Sequence, residues 1–169
     1  NFSFSFKRSY KTKLKTFGGR KVFNFAPCIF LEYNMERRYI LDAIDAALCA
    51  GKDILSIYND PASDFQVERK ADNSPLTIAD KKAHETIAGY LRNTPYPLLS
   101  EEGKHLPYTE RRMWTTLWIV DPLDGTKEFI KRNGEFTVNI ALVHNSIPVM
   151  GVIYLPVKKE LYFAEECLG

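Results

Sequence analysis

The chain has 169 residues, of which 45% are hydrophobic and 26% charged, with a net charge of +2 and three cysteines. These values are typical of one globular domain. They exclude a disordered chain, a collagen-like repeat and a disulfide-stapled miniprotein, and the small net charge gives no indication of a nucleic-acid partner. No apolar run reaches the length of about 18 residues that a transmembrane segment needs. The widely spaced cysteines favour a reducing compartment, and the predicted location is cytoplasmic.

The basic charge is concentrated at the start of the chain. Residues 1–34 carry seven Lys or Arg and one acid, whereas the other 135 residues carry 16 basic and 20 acidic side chains. The first methionine is Met35, so residues 1–34 are interpreted as a disordered or non-native extension, in which residues 2–6 alternate like a strand. Three origins stay open: translated upstream sequence, an organelle transit peptide, or a basic aromatic anchor at the inner face of a membrane.

Two helices are predicted after Met35. Over residues 36–58, apolar side chains recur three, four or seven positions apart, which predicts a helix that Asn-Asp-Pro at 59–61 ends. Residues 65–70 alternate like a short strand, and residues 72–75 form a turn. A second helix, over residues 77–92, begins at a variant capping box of Thr77 and Asp80. The predicted buried stripes are Leu41, Ile44, Leu48, Leu55 and Tyr58 in the first helix, and Ala79, Ala83, Ile87 and Leu91 in the second.

Strand patterns dominate the rest of the chain. Apolar runs predict strands, with a hairpin turn at Asn145-Ser146 and a polar loop over residues 103–112. Because helices come first and strands later, the pattern predicts a layered α/β or α+β domain. The predicted strands are residues 97–100, 114–120, 136–144, 148–155 and 161–164.

Acidic residues follow two of these strands. Glu101 and Glu102 follow one, and the hexapeptide Asp-Pro-Leu-Asp-Gly-Thr at residues 121–126 follows another, with a proline turn between its aspartates. Two carboxylates 4 Å apart repel by about 1 kcal/mol in water and about 4 kcal/mol at an effective dielectric constant of 20. Such a pair therefore indicates a bound cation or a shared proton. Oxygen ligands without His or Cys favour Mg²⁺ over Zn²⁺.

A phosphate site is predicted beside these carboxylates. Gly125 and Thr126 open a short predicted helix, whose free N–H groups and close backbone approach suit an anion. The combination suggests metal-assisted phosphoryl transfer to water. Each element alone has a simpler interpretation, because Asp-Pro and Asp-Gly make turns, glutamate pairs lie in solvated loops, and Thr77 with Asp80 can be only a helix cap.

Three stretches of the sequence together resemble a known family. Residues 70–80, 99–102 and 118–142 are similar to the lithium-sensitive, Mg²⁺-dependent phosphatases of the inositol monophosphatase superfamily. The Lys-Glu-Phe-Ile extension at residues 127–130 resembles its CysQ-type 3′(2′),5′-bisphosphate nucleotidase branch. The resemblance implies an αβαβα layered sugar-phosphatase fold. It also implies hydrolysis of the 3′-phosphate of adenosine 3′,5′-bisphosphate to AMP in sulfur assimilation, with an inositol phosphate as the alternative substrate.

The resemblance further implies a role for each site residue. Two or more Mg²⁺ ions are expected, with Li⁺ as an inhibitor, and Asp80 and Thr126 would polarise the attacking water. The implied metal ligands are Glu101, Asp121, the backbone carbonyl of Leu123, and Asp124. The implied substrate-binding residues are Glu101, Leu123, Asp124, Gly125 and Thr126.

The chain departs from the family pattern after the hexapeptide. Family members continue much further and carry a Trp-Asp pair, which is missing after Asp121. Residues 35–169 are therefore expected to be the N-terminal portion of the domain, without its C-terminal half. Three hypotheses stay open: a nucleotide phosphatase, an inactive fragment that binds cation or phosphate weakly, and an adaptor that binds anionic surfaces through residues 1–34. The sequence does not determine the oligomeric state or the preference between the bisphosphate and its sulfated form.

Overall fold

The computed structural model describes residues 13–17, 20–24, 38–63, 65–69, 75–104 and 106–166. Nine strands lie in these residues: β1 (Lys13–Phe17), β2 (Arg20–Asn24), β3 (Glu68–Arg69), β4 (Pro75–Leu76), β5 (Leu98–Ser100), β6 (Thr116–Asp124), β7 (Thr137–His144), β8 (Ile147–Leu155) and β9 (Glu160–Glu165). The helices are α1 (Arg38–Tyr58), α2 (Ile78–Leu91), α3 (Tyr108–Arg111) and α4 (Thr126–Ile130). The predicted α/β class is confirmed.

A mixed sheet of seven strands forms the centre of the fold, in the order β1-β2-β9-β8-β7-β6-β5, and β3 and β4 pair separately. Strands β6 to β9 form an antiparallel meander, whereas β5 pairs with β6 in parallel. The predicted hairpin turn is confirmed, because Asn145 and Ser146 connect β7 to β8 with φ values of 48° and 65°. Such positive φ values match the twist of a two-residue hairpin.

The hydrophobic core lies between this sheet and the two long helices. Alternate residues of the strands, such as Trp118 in β6, Ile140 in β7 and Val152 in β8, are buried against α1 and α2. The inward stripe predicted for α2 is confirmed, since all four of its residues are buried. This layer holds the end of α2 that carries Asp80 close to the end of β6.

The buried face of α1 differs from the predicted stripe. Leu41 is 61% exposed and Leu55 is half-buried, whereas three residues of the predicted stripe are half-buried and pack against the core: Ile44, Leu48 and Tyr58. Alanines line the buried face instead, because small side chains let the helix approach α2 and the sheet closely. The fully buried residues of α1 are Ala43, Ala46, Ala47, Ala50 and Ile54.

Three further local predictions are revised by the structure. The strand predicted over residues 65–70 contracts to β3, and Phe65 packs into the core against Phe129 with ring centroids 4.7 Å apart. The predicted loop 103–112 contains α3. Of the predicted turn 72–75, only Pro75 belongs to the described residues, where it begins β4.

Strands β1 and β2 were not predicted from sequence. They pair as an antiparallel hairpin within the basic extension, and β2 pairs in parallel with β9, with Val22 opposite Leu161. This pairing uses backbone groups at a sheet edge, and such an edge accepts many extended sequences. Residues 2–6 lie outside the described part of the chain. Within the described part, every helix is too short or too polar to cross a bilayer.

The close approach of α1 to β8 gives a test of this packing. A Cβ atom at Gly51 would lie within 2.7 Å of Cδ1 of Tyr154, whereas a Cβ at Gly89 in α2 would meet no atom within 4 Å. Gly51→Ala should lower the free energy of unfolding by about 1–3 kcal/mol through overpacking. Gly89→Ala should raise it by roughly 0.5–1 kcal/mol through helix propensity.

Urea unfolding of both variants measures these changes. Equal effects of the two substitutions would contradict the described contact between α1 and β8.

Candidate active site

Two parallel strand ends bring the first pair of carboxylates together. Ser100 of β5 lies opposite Val120 of β6, and the Glu101 N–H donates to the Val120 carbonyl at 3.1 Å. Glu101 and Asp121 are the next residues on each strand, and their side chains share a hydrogen bond. The carboxylate pair expected from the sequence is therefore formed by neighbouring strands, with Asp121 half-buried and Glu101 exposed.

A β-bulge brings Asp124 to the same face of the sheet. Successive residues of a regular strand point to opposite faces, so residues three apart point in opposite directions. The pairing of β6 with β7 shifts by one residue between Asp121, opposite Asn139, and Asp124, opposite Thr137. The extra residue cancels the alternation. The expected proline turn is thus a bulge inside β6, where Pro122 is buried and has no N–H to donate to the ladder.

Burial and mutual repulsion change the acidity of the central aspartate. Burial, then the charges of Glu101 and Asp124, raise the pKa of Asp121 from 3.8 to about 8, although the Leu123 N–H donates to its carboxylate at 3.2 Å. The shared hydrogen bond with Glu101 acts in the same direction as the burial. Asp121 therefore holds a proton at neutral pH when no cation neutralises the group.

The start of α2 supplies a fourth carboxylate. The predicted capping box is present: the Thr77 N–H and hydroxyl both donate to Asp80 Oδ2, at 2.7 and 2.5 Å. Asp80 is only 2% exposed. Its other oxygen, Oδ1, accepts the Thr126 hydroxyl at 3.1 Å, and that hydroxyl also lies 3.2 Å from the Leu123 carbonyl oxygen. Asp80 therefore caps α2 and also links α2 to the hexapeptide.

Gly125 sets the direction of the chain between β6 and α4. Its φ of 97° lies in the left-handed region, and a Cβ there would lie 2.9 Å from the Glu135 carbonyl oxygen. The close approach in this structure is thus to residue 135, whereas the sequence suggested an approach to a ligand. Helix α4 has five residues, and Phe129 anchors it by packing against Tyr58 and Phe136 with centroids 5.4 Å away.

The donor set fits a hard divalent cation. Glu101, Asp121 and Asp124 offer carboxylate oxygens at one sheet edge, and Leu123 offers a carbonyl oxygen, which are ligands that Mg²⁺ prefers. Among the residues that the structure describes, no three His, Cys, Asp or Glu side chains already converge on one metal position. Two of these carboxylates have side-chain partners in this structure: Asp121 interacts with Glu101, and Asp124 accepts a hydrogen bond from Asn139.

Sequence inspection missed two polar contacts beside these residues. Asn139 of β7 donates from Nδ2 to Asp124 Oδ2 at 3.1 Å. His84 of α2 lies 2.8 Å from Ser100 Oγ through Nδ1, and burial lowers the pKa of that imidazole. Asn139 interrupts the apolar pattern of Val-Asn-Ile-Ala-Leu at residues 138–142, and that interruption was the available signal.

The family assignment follows from this fold and site together with the match of the family profile. The fold and the site define an α/β domain in which a bulged strand end and a capping aspartate gather oxygen ligands around one hexapeptide. The profile of the inositol monophosphatase family matches residues 36–169. The chain belongs to the inositol monophosphatase family.

Individual relatives point to one branch of this family. The chain is 53% identical over 119 residues to the 3′(2′),5′-bisphosphate nucleotidase CysQ of Salmonella typhimurium, covering 69% of this chain and 48% of that protein. The CysQ of Escherichia coli K12 is 52% identical over the same length. The resemblance to the CysQ branch is thus confirmed.

Solved structures agree with these relatives. The crystal structure of CysQ from Bacteroides thetaiotaomicron is 69% identical with a TM-score of 0.72, covering 81% of this chain and 49% of that one. The suppressor protein SuhB from Bartonella henselae is 31% identical with a TM-score of 0.67, covering 78% of this chain and 50% of that one. The predicted fold is confirmed, and the chain spans about half the length of the relatives it matches.

The raised pKa of Asp121 predicts that the metal-free protein becomes less stable as the pH rises. The folded pKa of about 8 exceeds the value of 3.8 for a free carboxyl. The metal-free wild type therefore loses stability as the pH rises between these values. The amide that replaces the carboxyl in Asp121→Asn would carry no charge and can donate to Glu101. Asp121→Asn should therefore hardly change the free energy of unfolding at pH 4. At pH 8 it should raise that free energy by roughly 2 kcal/mol or more.

Urea unfolding at several pH values in chelator measures this difference. Asp45→Asn, an exposed substitution on α1, serves as the control. A stability difference between wild type and Asp121→Asn that does not change with pH would contradict the raised pKa.

Proposed function

We propose that the protein is a Mg²⁺-dependent 3′(2′),5′-bisphosphate nucleotidase. It would hydrolyse the 3′-phosphate of adenosine 3′,5′-bisphosphate to give AMP and phosphate, in sulfur assimilation in the cytoplasm. The observation that carries the proposal is the placement of Glu101, Asp121 and Asp124 on one sheet edge beside the Asp80–Thr126 pair. The names of the CysQ relatives supply the substrate.

The carboxylate edge would hold the cations. Glu101, Asp121, Asp124 and the Leu123 carbonyl are the proposed ligands. Two or more Mg²⁺ ions would neutralise the carboxylate repulsion that, after burial, raises the pKa of Asp121. When bound, the ions supply positive charge to the phosphate oxygens and a lower pKa to the attacking water. Inhibition by Li⁺ is expected from the family resemblance.

The Asp80–Thr126 pair would orient the water. Because the Thr126 hydroxyl donates to Asp80 Oδ1 at 3.1 Å, its oxygen keeps lone pairs that can accept a hydrogen bond from water. Asp80 is fixed by the capping box, so the hydroxyl is fixed as well. The backbone N–H groups of Gly125 and Thr126 would donate hydrogen bonds to oxygens of the substrate phosphate.

Two alternatives are kept because the chain spans about half of its CysQ relatives. An inositol phosphate would use the same carboxylate edge, since this edge handles only the phosphate and the water. A chain that binds cation or phosphate weakly without hydrolysis would need only the carboxylates. Binding to anionic surfaces through residues 1–34 and the oligomeric state stay open.

Phosphate release tests the proposed reaction. The chain is incubated with Mg²⁺ and either adenosine 3′,5′-bisphosphate or inositol 1-phosphate. We expect Mg²⁺-dependent release from the bisphosphate in preference to the inositol phosphate. Asp121→Ala should lower release by about 100-fold or more, because it removes a proposed ligand of the cation that stabilises the developing charge. Asp45→Ala is the matched control.

Equal release by wild type and Asp121→Ala would overturn the site assignment. Faster release from the inositol phosphate would favour the first alternative. Cation binding without release from either substrate would favour the second.

Substitutions at Thr126 test the role of its hydroxyl. Thr126→Ser keeps the donor to Asp80 and should retain most of the phosphatase activity, whereas Thr126→Val keeps the volume but removes the hydroxyl. Thr126→Val should lower kcat by roughly 100-fold, the usual scale for a group that handles a proton. Steady-state kinetics measures kcat, and unfolding confirms that both variants fold. Equal kcat values for the two variants would contradict the proposed role.

A further inference from the structure

Asn139 occupies the middle of β7 beside the carboxylate edge. Its backbone lies opposite Asp121 of β6 and opposite Ile153 of β8. The side-chain Nδ2 donates to Asp124 Oδ2 at 3.1 Å. The side-chain Oδ1 is buried and accepts no hydrogen bond from the residues that the structure describes.

The orientation of this amide follows from Asp124. Turning the amide over would bring its oxygen against the carboxylate of Asp124, so the charge keeps Nδ2 on that side. The opposite atom, Oδ1, is thereby held in a buried position without a donor. A buried acceptor without a partner is unfavourable, and each such group in a native protein calls for an explanation.

Stability does not explain the presence of Asn139. Asp124 is exposed, so water can satisfy its carboxylate without help from the amide. The next residue of β7 on the same face is Ala141, and an apolar residue at 139 would leave no buried oxygen unsatisfied. The contact with Asp124 is thus the one described interaction that the amide makes and an apolar side chain could not.

We propose that Asn139 is a positioning residue for the cation site. By holding one oxygen of Asp124, Asn139 fixes the rotamer of that carboxylate and leaves the other oxygen for the divalent cation bound with Asp121. It acts through Asp124 and does not touch the substrate. This inference rests on the proposed function, because it assigns Asp124 as a metal ligand.

Two substitutions of Asn139 separate positioning from structural support. Asn139→Leu keeps the number and branching of the side-chain heavy atoms and Asn139→Ala shortens the side chain; both remove the donor and the buried oxygen. Mn²⁺ is used as the probe, with binding measured by calorimetry and by the loss of the free-ion electron paramagnetic resonance signal. We expect about 10–100-fold weaker Mn²⁺ binding in both variants, the usual effect of removing a group that orients a ligand.

The stability of the metal-free protein separates the two roles, because they predict shifts of the urea midpoint in different directions. A structural role predicts that Asn139→Leu unfolds at lower urea concentration than wild type. Positioning predicts an equal or higher urea midpoint, because the unsatisfied oxygen is gone and apolar atoms are buried in its place. Asn93→Ala, which removes an exposed amide after α2, is the matched control and should change neither Mn²⁺ binding nor the midpoint.

A double-mutant cycle shows whether Asn139 acts through Asp124. In an Asp124→Ala background, Asn139→Leu should weaken Mn²⁺ binding no further. Unchanged Mn²⁺ affinity in Asn139→Leu, or a loss that persists in that background, would overturn the inference while leaving the cation site intact. Wild-type chain that binds no Mn²⁺ would overturn both the cation site and the role of Asn139.

Discussion

The repulsion among carboxylates at one sheet edge is the constraint on which the rest of the site depends. A regular β6 would turn Asp124 into the core, opposite to Asp121, and the negative charges would stay apart. One extra residue of β6 in the pairing with β7 turns Asp124 to the same face as Asp121. The result is an aspartate whose pKa rises to about 8 because burial and the charges of Glu101 and Asp124 disfavour its ionised form. The proposed cation binding would neutralise this concentrated charge, and the amide of Asn139 already donates to one of its carboxylates.

The capping interpretation and the functional interpretation of Asp80 turn out to be compatible. The carboxylate closes a capping box at the start of α2 with one oxygen and accepts the Thr126 hydroxyl with the other. A group that caps a helix is held rigidly, and rigidity is what a water-orienting group requires. Gly125 likewise has two local roles, because its left-handed backbone turns the chain from β6 into α4 and leaves room for the Glu135 carbonyl. Local stability and proposed chemistry therefore use the same atoms.

Local features of this site were predictable from sequence, and features that depend on pairing register were not. The cap at Thr77 and the buried face of α2 follow from spacings within one helix. The hexapeptide indicated a carboxylate pair, but not that Asp124 reaches the face of Asp121 through a bulge. The contact of Asn139 with Asp124 depends on how β7 aligns with β6. The buried face of α1 was predicted only in part, because alanines line its centre and the predicted Ile44, Leu48 and Tyr58 pack at its margin. The pairing of β2 with β9 was missed because it uses backbone groups, which leave little signal in the sequence.

The hydrogen bond between Thr126 and Asp80 joins residues 46 positions apart. In kinetic terms, forming a contact of that span costs far more loop-closure entropy than forming a local one, and the docked helix and strands offset that cost. The cap at Thr77, three residues from Asp80, needs no such closure. The carboxylate that would orient water is thus present from the time α2 forms, but its hydroxyl partner arrives late. A chain in which α2 has formed but has not docked would then hold a capped helix without the contact between Asp80 and Thr126.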